Sequence, residues 1–214
     1  MKIRPMIVGA LVASAPAARA QSTGIALPDR LAPTTRATIM RLIDSAQSVG
    51  LPVTPLVNKT AEGVLKGADD QRIVRAVQSL TRELGDARTA LGGTTDAALL
   101  GAAANALHAG VSIDELRRLQ RASSTGNDAL ASALVTLVDL VTRRVPISAA
   151  TTSMHDLLER RAGEREFAAL RAGVEQDISA GQAPDAALRA RVGTQLRALD
   201  AAGPGARRPP IGGD

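Results

Sequence analysis

From Thr34 to Leu199 apolar residues return at intervals of three and four, the period of a helix buried on one side. Ile39, Leu42, Ile43, Ala46 and Val49 mark a first helix that stops at Gly50, and a second runs from about Thr54 to Lys66. After Gly67, Asp69-Asp70 opens the most amphipathic segment, with Ile73, Val74, Val77, Leu80 and Leu84 in one stripe and Arg72, Arg75, Gln78 and Arg82 largely off it. Gly92-Gly93 interrupts that pattern. Thr94-Thr95-Asp96 then starts an Ala-rich helix that ends at Gly110. A short helix from Ser112 to about Ala122 follows, and then a strongly apolar one through Leu130, Leu134, Leu137, Val138 and Val141 to Arg143-Arg144, which is expected to lie at the centre of the core. The last three span about Ser148 to Arg161, Glu164 to Ser179 and Pro184 to Leu199.

The punctuation between helices repeats. In Val49-Gly50-Leu51-Pro52-Val53-Thr54-Pro55-Leu56, Gly50 suits a left-handed helix stop, Thr54 is expected to cap the next helix, and Pro55 fits its first turn. Ser112 and Glu115 read as a capping box, and Thr125 and Asp128 as another. The expected fold class is therefore all-α: a series of antiparallel helical hairpins, about eight helices in all, closing as a bundle or as a short α-solenoid. A shift carrying Pro52 onto Pro146 also brings Ile73 onto Phe167 and Leu84 onto Ile178, which suggests a hairpin repeat of 50–84 in 144–178.

The ends of the chain read differently. Lys2 and Arg4, the apolar run Met6 to Ala15 and the small-x-small triplet Ala18-Arg19-Ala20 have the three parts of a secretory signal, with cleavage expected before Gln21. The apolar run is about half the length of a membrane span, so no stable span is expected after cleavage. This divides the chain into a signal peptide at 1–20, an extended leader at 21–33, an all-helical domain at 34–200 and a disordered, Gly- and Pro-rich tail at 201–214. The expected location is periplasmic or extracellular.

Composition narrows the chemistry. Of the 214 residues 45% are hydrophobic, yet Phe167 is the sole aromatic and cysteine is absent, so the folded chain is held by the packing of small aliphatic side chains. Removing Lys2, Arg4 and Arg19 with the signal lowers the formal net charge from +5 to +2, which with no aromatic beyond Phe167 for base stacking argues against nucleic acid as a partner. His108 and His155 are the only imidazoles. His108, at a helix end, is expected to meet its own last carbonyls, and His155, beside Asp156, to lie on a solvated face. Without Cys or a His-x-x-x-His pair no metal site is expected, and no cofactor motif is present. The acid pairs Asp69-Asp70, Asp114-Glu115 and Glu164/Glu166 all fall at helix starts, where capping explains them. Arg117-Arg118, Arg143-Arg144, Arg160-Arg161 and Arg207-Arg208 are the paired cations, expected at solvated helix ends.

No residue is therefore assigned a catalytic, cofactor-binding or metal-binding role. The functional expectation is an exported, non-catalytic helical interaction or scaffold protein with a protein partner. The alternative is a periplasmic carrier that holds a lipid or other apolar ligand between its helices.

Overall fold

The computed structural model describes residues 27–203, so the expected signal peptide and cleavage site, and the tail beyond residue 203, lie outside the described residues. Among the described residues there are nine helices and no strand. They are α1 (Pro33–Ser48), α2 (Thr54–Leu65), α3 (Asp70–Ala90), α4 (Ala97–His108), α5 (Ile113–Ala122), α6 (Asn127–Thr142), α7 (Ile147–Glu159), α8 (Glu164–Ser179) and α9 (Pro184–Ala202). No helix among them is long and apolar enough to cross a membrane.

Helix ends follow local chemistry. At α1, the N–H of Gly50 donates to Gln47 O and that of Leu51 to Ala46 O, both at 2.9 Å, with Gly50 at φ +74°. This Schellman closure recurs at Gly67, Gly110 and Gly181. At α6 and α7 the same closure is made by Arg144 and Arg161 at φ 69° and 60°, the two non-glycine residues with positive φ among the described residues. The helix starts are as specific. Asp69 accepts from Arg72 N at 2.8 Å, Asp96 from Ala98 N and Leu99 N at 3.0 Å, and Ser112 with Glu115 forms the expected capping box.

Two expected caps are absent. Val53 already has helical angles and its carbonyl accepts from Leu56 and Val57, so α2 begins to turn before Thr54, whose hydroxyl caps nothing. At α6 the φ of 102° at Gly126 makes that glycine the N-cap, which puts Asp128 one position too early to form a box with Thr125. The end of the expected leader also differs, because Leu27 and Leu31 are buried and Arg36 donates to the carbonyls of Leu27 and Pro28 at 3.1 and 2.7 Å.

Packing follows chain order. Helices two apart lie against one another: α1, α3, α5, α7 and α9 touch in sequence, as do α4, α6 and α8. Among consecutive helices, extensive contacts join α2 to α3, α3 to α4, α6 to α7 and α8 to α9. The shift that matched 50–84 with 144–178 does not align like packing, since α2 lies against α3 whereas α7 and α8 each pack on α6. As its apolar sequence predicts, α6 is central, with Leu130, Leu134, Leu137 and Leu140 buried against α4, α7 and α8. Phe167 is completely buried. The α8–α9 contact is pinned by Arg191, whose guanidinium meets both oxygens of Asp177 at 2.6 and 2.5 Å and holds that carboxyl below the usual range.

Candidate functional site: a polar groove on α2, α3 and α4

One side of α3 faces α4 and α2 without being closed over by them. Asn58, Lys59 and Glu62 from α2, Ala76, Ser79, Leu80 and Glu83 from α3, and Gly101, Asn105 and His108 from α4 line a groove of about 470 Å³. The α3 and α4 positions are spaced at three, four and seven residues, so each set shares one helix face. Gly101 leaves this stretch of the groove without a side chain, and a Cβ built there meets nothing within 4 Å. A glycine inside a helix costs about 0.5–1 kcal/mol relative to alanine, a cost the Ala-rich α4 accepts here.

Two polar networks furnish the walls. Glu83, whose side chain is 18% exposed, accepts from Ser79 Oγ at 3.2 Å and lies 3.0 Å from His108 Nδ1. His108 therefore reaches across to α3 rather than to the carbonyls of its own helix, and its ring is 68% exposed at the groove mouth. Ser79 directs its proton to a carboxylate and not to an imidazole, so these three groups form a hydrogen-bonding surface rather than an activated nucleophile. On the opposite wall, Lys66 and Lys59 close on Glu62 at 2.5 and 3.0 Å, and their hydrogen bonds lower its carboxyl to about 2. The pairing favours the ionised form of Glu62, and because it is exposed it adds little to stability. Asn58 and Asn105 are exposed and add two amides, each with donors and an acceptor.

The other residues singled out by the sequence are scattered. His155 on α7 is 23% exposed rather than on a solvated face; with Asp156, Glu115, Arg118, Leu119, Thr151 and Thr152 it lines a smaller cavity of about 180 Å³ between α5 and α7. The acid pairs act at helix starts as expected: Asp69 and Glu115 cap, Asp114 pairs with Arg117 at 3.1 Å, and Glu166 accepts from Gly163 N at 2.9 Å. Arg143 meets Asp139 and Glu175, and Arg160 meets Asp200. Arg207-Arg208 falls outside the described residues.

Sequence reasoning did not anticipate Asn58, Ser79, Glu83 and Asn105. The one available signal was Gly101, a glycine within an otherwise Ala- and Leu-rich helical run, which marks a place where a side chain is left out. Compared with protein-family models, with curated proteins and with solved structures, the chain matches none.

Proposed function

We propose that this chain is an exported, non-catalytic interaction module of the periplasm or the extracellular space, which holds a protein partner in the groove of α2, α3 and α4. The observation that carries the reading is the groove itself: a concave surface that includes the bare position of Gly101 and is walled by two amides, two carboxylates, an imidazole and a lysine, on a frame whose buried side chains are apolar but for four threonines. Such walls suit the polar backbone and side chains of a peptide segment better than an acyl chain, which favours a protein partner over the lipid-carrier alternative. Export is supported by the tripartite pattern of residues 1–20. The frame is a short α-solenoid in this reading, supported by extensive helix contacts that reach no further than two helices along the chain.

The test is site-specific photocross-linking in the native cell. With a photoreactive residue at Asn105, a discrete cross-linked protein is expected, lost in Gly101→Leu, which puts a large side chain into the groove, and kept in Gly85→Leu, on α3 outside the groove lining. Cross-linking that persists in Gly101→Leu, or none from Asn105, counts against the groove. A lipid-sized mass excess on the natively isolated protein, lost on denaturation, would turn the reading towards the carrier.

A further inference from the structure

A second site is carried by α7 and does not depend on the groove. His155, Asp156 and Glu159 bring one imidazole nitrogen and two carboxylate oxygens together, all within 4.8 Å of one another. His155 Nδ1 stands 3.6 Å from Asp156 Oδ1 and 3.7 Å from Glu159 Oε2. Both distances are longer than a hydrogen bond and fall in the range of ion pairs, so the three groups are gathered without being tied to one another by hydrogen bonds. The distances are close to the spacing set by a metal ion: with bonds of about 2.0–2.2 Å to nitrogen and oxygen, neighbouring donors of a tetrahedral site lie about 3.4 Å apart.

We propose that His155, Asp156 and Glu159 bind a divalent first-row transition ion, with Zn²⁺ the best match to one imidazole and two carboxylates in a cysteine-free site. The helix sets His155 and Glu159 one turn apart on one face, and the carboxylate of Asp156, next in sequence, comes round to 3.6 Å from the imidazole. The nearest following cation is directed elsewhere: Arg160 Nε binds Asp200 at 3.0 Å and its Nη1 donates to the Asp156 carbonyl at 3.2 Å. Three protein ligands leave coordination positions open, and the cavity of about 180 Å³ that includes His155 and Asp156 gives room for water or an incoming ligand beside them. Glu115 and Arg118, both from α5, add one charge of each sign to the wall of that cavity. An open three-ligand site of this kind suits an anionic donor, such as a carboxylate, supplied from outside the chain.

The test uses the tag-free protein titrated with Zn²⁺ by calorimetry and with Co²⁺ by visible absorption. One ion per chain is expected, with the d–d bands of a low-symmetry N/O site. His155→Ala should weaken binding at least about tenfold, as should Asp156→Asn and Glu159→Gln, by analogy with the losses seen when metal-site geometry is disturbed. His108→Ala, which removes the other imidazole, should bind as the unaltered protein does. The ring resonances of His155, and not those of His108, should shift in the presence of Zn²⁺. Circular dichroism will establish that each variant is folded. The proposal is overturned if the unaltered protein binds neither ion, or if folded His155→Ala binds with unchanged affinity.

Discussion

Arg144 occupies a position that glycine fills at the ends of α1, α2, α4 and α8, and it does so with the same left-handed backbone. An L-residue with a Cβ there is disfavoured by about 1–2 kcal/mol. The closure is retained because Val145, the next residue, is buried and its N–H donates to Leu140 O at 3.0 Å, so the following turn holds Arg144 in place. Arg144→Gly relieves the crowding, and the greater freedom of glycine in the unfolded chain offsets part of the gain. We expect a net stabilisation of about 0.5–1 kcal/mol, read as a higher urea midpoint at unchanged m-value. A lower midpoint would show that the guanidinium of Arg144 does more for the fold than its backbone costs.

At the scale of the element, two interior glycines separate helix propensity from helix packing. Gly85 in α3 has nothing within 4 Å of a built Cβ, whereas at Gly63 in α2 that atom falls 2.8 Å from Cγ1 of Ile73, a β-branched residue buried on α3. Gly85→Ala should stabilise by about 0.5–1 kcal/mol. Gly63→Ala gains the same propensity but forces α2 from α3, for a net loss of about 1–2 kcal/mol. Thermal or urea unfolding of the two variants will show opposite signs, and a stabilised Gly63→Ala would mean that α2 shifts at little cost. The contrast also marks what the chain alone makes legible. Apolar spacing and the punctuation of Gly50, Asp96 and Ser112 place the helices, because each depends on residues within one or two turns. Which helices pack together is not local: α7 and α8 carry good apolar stripes yet make their extensive contacts with α6 and not with each other. For the same reason the pair Glu83–His108 was hidden, since its members belong to different helices and only packing sets them 3.0 Å apart.

Across the whole molecule, packing by near neighbours makes stability uneven along the chain. In an arrangement where each helix meets only those one or two places away, the ends can open while the middle stays folded. Here α1 has its one extensive contact with α3, and α9 rests on α8 and α7, while α6 is enclosed by α4, α7 and α8. Hydrogen exchange followed through low concentrations of urea should therefore resolve the molecule into units. Amides of α1 and of the second half of α9 exchange first, by openings that expose little surface and respond weakly to urea. Those of α6 and the α4 and α3 residues packed near it exchange last, by openings whose free energy and urea dependence approach those of complete unfolding. The groove lies on α2, α3 and α4, at the edge of the slow unit, with α2 joined to it through α3. A partner bound there should slow exchange in α2 more than in α6, since α2 has more protection left to gain. If α1 to α9 all exchange with a single free energy and a single urea dependence, the described residues form one cooperative unit and the neighbour-by-neighbour description of their stability fails.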